Sequence, residues 1–526
     1  MRIILVVIFA AGIIGSAMAT RDAVLAVEIR DANGKPVAAR VRLVNAEGKP
    51  PKSANGRVAP DSPFGIPAQS VAIQYGRNDA AEGYLLQPDG AFYVDGGFRL
   101  DVPPGKYSIT VTKGPEYAQW SETVEAGAGR KVARTVRMSR WIDMPAKGWY
   151  SADDHIHVRR SPRENPLLLR WVAAEDLHVG NILQMGDIWT TFFSQYGFGK
   201  QGRYREGNHL LSPGQEEPRT PEVAHTISLG AEEFVRFQPD YYSYDRVFDR
   251  VHALGGVSGI AHQAVSFHGY RGLALNMLRG KLDFLEVMQF CVTKEGIVTD
   301  HYYRFLDLGY RLTALAGSDF PWCGRGGSRI GDVRFYTLVG KSFDFEGWMA
   351  GVKAGRTFAT SGPMLEFTVN GEPPGSVVKV ARGSRLRVKA RAWGKPGQIP
   401  LRELEIVGHG ESLGKKTGAD AGELEIDMEL PVERGIWIAA RASGGPAVAA
   451  HTTPVYVSVD GGGWSNPRTF AQRIAECEAA LAELEQGLGN TPQLLADQMP
   501  RHRQQMMRQI VEARAALEKR KAAGAQ

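Results

Sequence analysis

Two stretches of this chain alternate apolar and polar residues with the period of half-buried strands, and the long stretch between them does not, so no single regular architecture suits the whole. From Ala23 to about Arg137, Val41 and Leu43 interleave with Arg40 and Arg42, and Tyr107, Ile109 and Val111 alternate after the turn Pro103-Pro104-Gly105. Alternation returns from about Ser376 to Val459 in LRVKARAW, LEIVGHG and IWIAARASG. Between Trp141 and Val369, amphipathic stretches such as Tyr244 to Leu254 alternate with short apolar runs such as VSGIA and RLTALAG, as β/α units do. A chain of 526 residues exceeds one hydrophobic core, and its 43% hydrophobic content is enough to fill several. The expectation is a multidomain α/β plus all-β protein. Its parts are an N-terminal β-sandwich over 20–140, a β/α domain over 141–370, a C-terminal β-sandwich element over 371–460 and a helical hairpin over 461–526.

The hairpin follows from 3-4 spacing of apolar residues. Asn466 and Pro467 suit a helix start, Phe470, Ile474, Cys477, Leu481 and Leu484 form one stripe, and Met506, Ile510, Ala513 and Leu517 form another after the break at Gly487 to Pro492. At the other end, residues 1–19 carry Arg2, the apolar run IILVVIFAAGIIG and the small-residue site Ala17-Met18-Ala19, which predicts a secretory signal cleaved before Thr20. The run is shorter than the ~20 residues a membrane span needs, so the mature chain is expected to have no span and to be periplasmic or extracellular.

Three cysteines (Cys291, Cys323, Cys477), odd in number and widely spaced, argue against a disulfide framework. The formal net charge is +6, but seven Lys/Arg against two Asp/Glu lie between Arg501 and Gln526. A solvated basic helix is the expected reading of that tail, and without an aromatic-basic surface motif no nucleic-acid partner is expected.

Several apolar runs of the central stretch end in a His or an acid. Asp154-His155-Ile156-His157 would point both imidazoles to one face of a strand and toward one ion. Imidazole nitrogen suits zinc, iron or manganese. Glu216 in LLSPGQEEPRTPEVAH and His225 at the end of that loop can share a metal, with Glu217 and Glu222 as nearby acids of the solvated-loop kind. His262 closes GGVSGIAH, and Asp319 follows Gly317-Ser318 after RLTALA. In parallel β/α folds reactive groups sit at the carboxyl ends of strands, which gives these endings chemical meaning. Each alone also reads as a capped strand end or a satisfied buried polar group.

The order His-x-His, Gly-x-Glu, His, Ala-His and Gly-Ser-Asp resembles the PHP (polymerase and histidinol phosphatase) superfamily. Within it, GQEEPRTPEVAH, YYRFLDLGYRLTALAGSDFPW and AGRTFATSGPMLEFTVNGEPPG are similar to the CehA/McbA branch, over roughly residues 145–380. AHTTPVYV at 450–457 resembles the same branch, and DANGKPVAARVRLVNAEG with VPPGKYSITV resembles a carboxypeptidase-regulatory or transthyretin-like sandwich. The resemblance implies a distorted (β/α)7 barrel with metals at the strand ends, one held by His155, His157, Glu216 and Asp319 and a second by Glu216, His225 and His262. It also implies Glu216, Asp319 and His262 as catalytic, a metal-activated water as nucleophile, and Asp153 or Asp154 as an orienting group behind a ligand.

Three-metal members carry further ligands where this chain has Arg159-Arg160-Ser161-Pro162, Ile188 and Pro321. Their joint absence predicts two divalent transition ions (Zn, Mn or Fe), with Arg159 or Arg160 as partial stand-ins for a third. The expected function is an exported metal-dependent hydrolase of a carboxylic ester, amide or carbamate on a small-molecule or glycan-like substrate. The alternatives are a phosphoesterase, or a non-catalytic secreted glycan-binding protein with a structural metal. Oligomeric state is left open by the sequence.

Overall fold

The computed structural model describes residues 21–50, 91–188, 190–220, 223–238, 240–262, 269–289, 297, 299–320, 329–488 and 499–524. The signal segment with its cleavage point before Thr20, Cys291, Cys323, Glu222 and Pro321 lie outside the described residues.

Near the N-terminus the alternation forms two sheets. Ala23–Arg30 pairs antiparallel with Gly97–Val102 and parallel with Lys131–Arg137, while Ala38–Asn45 lies between Phe92–Asp95 and Gly105–Thr112, which pairs on with Trp120–Ala126. One face of each sheet supplies Leu25, Val27, Ile29, Val41, Leu43, Ile109 and Val111 to a shared buried core, as period-2 side-chain placement requires.

The central stretch departs from the expected (β/α)7 barrel. It forms a curled, mixed sheet, and among the described residues the chain has 27 strands against eight α-helices. Trp149–Ile156, Val179–Gly186 and His209–Thr220 run parallel. The sheet then reverses, because Ala224–Leu229 pairs antiparallel both with His209–Thr220 and with Val257–Ile260. Phe284–Gln289 and Thr313–Gly317 resume parallel pairing, and Arg334–Leu338 lies antiparallel on the other edge of Trp149–Ile156. The cause is connection length. Only residues 221–223 separate two of these strands, too few for the crossover that parallel neighbours need. Among the described residues, the gap between Val179–Gly186 and His209–Thr220 holds the short strands Thr191–Phe192 and Tyr204–Glu206 and, as its helix, only the four residues Gly199–Gly202. Backbone bonds from His157 N to Phe320 O (2.7 Å) and from Phe320 N to His155 O (3.2 Å) bring the end of Trp149–Ile156 against the turn that follows Thr313–Gly317. This curl places the strand-end residues around one point.

Thr357–Thr360 pairs with Val448–Thr452, so the C-terminal strands continue the same hydrogen-bonded sheet. Met364–Val369, Ser384–Trp393 and Glu423–Val432 form a separate three-stranded layer. Its inner residues Leu365, Phe367, Leu386, Val388 and Ala390 pack on Ile406, Ile438 and Val457.

Helices Phe470–Gly487 and Met499–Ala523 bury both stripes against the central core, Ile474, Cys477 and Leu481 on one and Met506, Ile510 and Leu517 on the other. The first helix begins three residues after Pro467, and Asn466 Oδ1 instead accepts from Arg468 N at 3.1 Å in the turn before it. The basic helix exposes its cations as expected, and several of them also meet acids. Arg508 pairs with Asp245 (2.7 Å), Arg514 with Glu485 (2.5 Å), Lys521 with Glu478 (2.8 Å), and Arg501 with Asp240. Charge complementarity to neighbouring acids therefore explains much of the cationic tail.

Candidate metal centre

Trp149–Ile156 delivers His155 and, one residue past its end, His157 to the same side. Their Nε2 atoms are 3.0 Å apart. Behind them, His155 Nδ1 donates to Glu286 Oε1 at 2.9 Å and His157 Nδ1 donates to the Leu183 carbonyl at 3.2 Å. A carbonyl only accepts, so the hydrogen of neutral His157 sits on Nδ1 and its Nε2 is a bare lone pair. A carboxylate acceptor sets the same tautomer for His155.

The groups facing those lone pairs are acceptors too. Glu216 Oε2 lies 3.2 Å from His157 Nε2 and 3.8 Å from His155 Nε2, and Asp319 Oδ1 lies 3.5 and 3.3 Å from the same atoms. The other oxygen of Glu216 faces a different pair, with His225 Nδ1 at 2.8 Å and His262 Nε2 at 3.3 Å, and those two nitrogens are 3.1 Å apart. All six expected ligand residues thus meet at one place. His155, His157 and Glu216, then His155, His262 and Asp319, then Glu216, His225 and His262, form triads whose ligand atoms lie within 4.8 Å of one another. Such a crowd of acceptors requires positive charge at its centre. The donor set of four imidazoles and two carboxylates fits a metal ion.

The electrostatics agree. Burial opposes protonation of His155 and His157, but Asp319, Glu216 and, for His155, Glu286 outweigh it and raise both pKa values, so the positive charge the cluster calls for is a proton that a bound metal ion would displace. Burial also opposes ionisation of Glu216, yet Arg219, His225 and the paired histidines hold it well below the usual carboxylate range. At His225 burial wins and lowers the pKa to about 4, which keeps the imidazole neutral and able to ligate.

The sequence sets this geometry locally. Glu216 and Glu217 are successive on a strand and point to opposite faces. Glu216 enters the cluster, and Glu217, 1% exposed, lies 3.0 Å from Arg236 Nε. Glu217 is therefore a buried neighbour of Arg236 rather than a solvated loop acid, and burial pushes its carboxyl up to about 8 despite that guanidinium. His262 and Asp319 have φ of 29° and 51°, values disfavoured for side chains with a Cβ and typical of functional sites. Gly317 is needed because a Cβ there would lie 2.2 Å from Asp154 Oδ1 and 2.4 Å from His155 Cβ. Asp153 accepts from the amides of His155 (3.0 Å), Ser318 (2.9 Å) and Gly331 (2.8 Å), and so binds the first ligand strand to the turn carrying Asp319. Asp154 is buried against Glu286, and burial together with that neighbouring charge raises its pKa well above 3.8.

Three neighbours went unread in the sequence. Glu286 backs His155 and also accepts from His262 N; its signal was a lone acid in the apolar run FLEVMQF. Arg219 reaches the cluster from the bulged strand. Phe193, with φ of 53°, stacks on His157 with ring centroids 5.3 Å apart. Arg160 is no stand-in for a third ion, because it is 2% exposed and bonds to Gln195, Asn165 and the Gly202 carbonyl. Arg159 is exposed.

No family model matches the chain, and none of the curated proteins matches it. Among solved structures, fibronectin(III)-like modules of Clostridium thermocellum CbhA align at 20% identity and TM-score 0.13 over 19% of this chain and 97% of theirs. The Bacillus anthracis TIE protein aligns at 9% identity and TM-score 0.14 over 84% of this chain and 50% of its own. Apo β-glucuronidase 3 of Bacteroides uniformis aligns at 11% identity and TM-score 0.16 over 82% and 61%. At these scores the likenesses carry no argument about fold or function.

Proposed function

We propose that the chain is an exported hydrolase that uses two divalent transition ions, zinc, manganese or iron, on a carboxylic ester, amide or carbamate. The observation that carries this reading is the convergence of four imidazoles and two carboxylates on one point, with Glu216 turning a different oxygen to each half. His155, His157, Glu216 and Asp319 would hold one ion, and Glu216, His225 and His262 the other. When bound, such ions lower the pKa of water and polarise the bond under attack. No Ser or Cys nucleophile is then required.

The protein's own groups divide the remaining work. Glu286 fixes the His155 tautomer, Leu183 fixes that of His157, and Asp153 holds the Asp319 turn. The His155 and His157 side is closed, at 0% and 3% side-chain exposure, whereas His225 is 23%, His262 11% and Asp319 12% exposed. One side buried and one side open suits catalysis better than a closed structural site. The similarity of motif order to the CehA/McbA branch supports the same bond class. Export rests on residues 1–19, and among the described residues no helix is long and apolar enough to cross a membrane.

The test is a panel of chromogenic esters, amides, carbamates and phosphoesters offered to full-length protein reconstituted with each metal. Metal-dependent turnover of a carboxyl derivative is expected. A metal-loaded protein inert toward every class would end the hydrolase reading, and dominant phosphoester turnover would replace its bond type.

A further inference from the structure

Arg219 is held at the open edge of the cluster by its own backbone. The strand register slips between Glu216 and Arg219, and the Arg219 amide donates to the Tyr241 hydroxyl at 3.2 Å, which in turn donates to the Gly186 carbonyl at 3.2 Å. The guanidinium Nη2 lies 3.3 and 3.5 Å from the two ring nitrogens of His225, and Nη1 lies 3.2 Å from Met185 Sδ. Its Nε is buried without a hydrogen-bond partner. The carboxylate it faces is Glu216, at 3.8 Å from Nε, whose oxygens are already turned to four imidazoles. The side chain remains 23% exposed.

A buried guanidinium donor without an acceptor is unfavourable, and an imidazole, a thioether and a shared carboxylate are weak compensation. Cations held by the six ligands would compete with Arg219 for the charge of Glu216 and leave this edge net positive. An anionic oxygen is the partner that suits such an edge. On the adjoining flank, Phe192 pairs with Met185 across the strands and Phe193 covers His157, so an apolar wall stands next to the cation.

We propose that Arg219 binds an anionic oxygen of the substrate, so that the site selects molecules bearing a carboxylate or phosphoryl group beside the bond that reacts. The inference rests on the metal-hydrolase reading above and deepens it by naming the substrate class. A planar guanidinium fork suits either anion, and neutral analogues leave its donors unpaired.

The test uses the full chain loaded with Mn2+, with inorganic phosphate and acetate as probes, anion affinity by titration calorimetry, and metal content on the same samples. Wild-type protein is expected to bind at least one probe. Arg219→Met is expected to weaken that binding about tenfold or more at unchanged metal content, the loss of a charge-assisted hydrogen bond. Arg219→Lys, which keeps the charge and loses the fork, is expected to fall between, and carries the test if the Met variant does not fold. Binding of phosphate alone supports a phosphoryl group, and binding of acetate alone a carboxylate. Metal retained with anion affinity unchanged in both variants overturns this inference alone, as does a metal-loaded wild type that binds neither probe. A wild type that takes up no metal overturns the underlying reading and this inference together.

Discussion

Glu286 Oε1 lies 2.9 Å from His155 Nδ1, on the far side of the imidazole from the Nε2 that meets His157. That bond decides which nitrogen is free to ligate, as backing carboxylates do in metal sites. Glu286→Gln is therefore expected to weaken metal binding by about 10–100-fold while leaving the fold intact. Competition with a chromophoric chelator measures it, and wild-type affinity in the variant would remove Glu286 from the account.

Glu217 gives a contrasting prediction. Its carboxylate is buried 3.0 Å from Arg236, away from the ligands. Glu217→Ala is expected to lower stability by ~1–3 kcal/mol, the range for leaving a buried polar group without its neighbour, and to keep its metal. Denaturant unfolding and metal analysis of one preparation separate the two effects; metal loss without destabilisation would mean that Glu217 is a ligand.

Gly317 precedes Asp319 where an added methyl has no room, at 2.2 Å from Asp154 Oδ1 and 2.4 Å from His155 Cβ. Gly317→Ala is expected to displace His155, to destabilise the chain by ~1–3 kcal/mol, as overpacking does, and to reduce metal affinity. A crystal structure of the variant with His155 unmoved would refute the steric argument.

Away from the metal centre, His178 sets an acid limit. It is 3% exposed, its Nδ1 lies 3.2 Å from Ser151 N, and burial lowers its pKa to about 3. The unfolded chain titrates this imidazole near 6.5, so the unfolded state binds more protons below that pH. Its contribution is thus present above about 6.5 and is lost as pH falls toward about 3, on the order of 2 kcal/mol by pH 5. Urea unfolding at pH 7 and pH 5 should show this loss, and His178→Asn should flatten it; an equal slope in the variant would assign the acid sensitivity elsewhere.

The candidate ligands were legible because strand ends expose polar groups. His155 and His157 differ by one strand period, and His262 and Asp319 each close an apolar run that could not itself tolerate them. The barrel expectation failed because β/α texture does not fix strand direction. Ala224–Leu229 reads like its neighbours, and only the three-residue gap after Thr220 forces it antiparallel. In the sequence the motif resemblance alone told Glu216 from Glu217; that Glu217 is buried on the opposite face of the strand, not solvated, needed the structure. Arg219 and Glu286 reach the site only through the curl of the sheet, which places residues 155, 219 and 286 together.

The central claim is that six residues, bridged by Glu216, hold two ions. Elemental analysis of the purified full-length chain beside Glu216→Ala tests it most directly, since removing the one carboxylate shared by both halves removes neutralising charge from each. The account predicts close to two transition metal ions per wild-type chain, and a folded Glu216→Ala that loses most of them. A wild-type chain without stoichiometric metal, or a Glu216→Ala variant with full metal content, would contradict it.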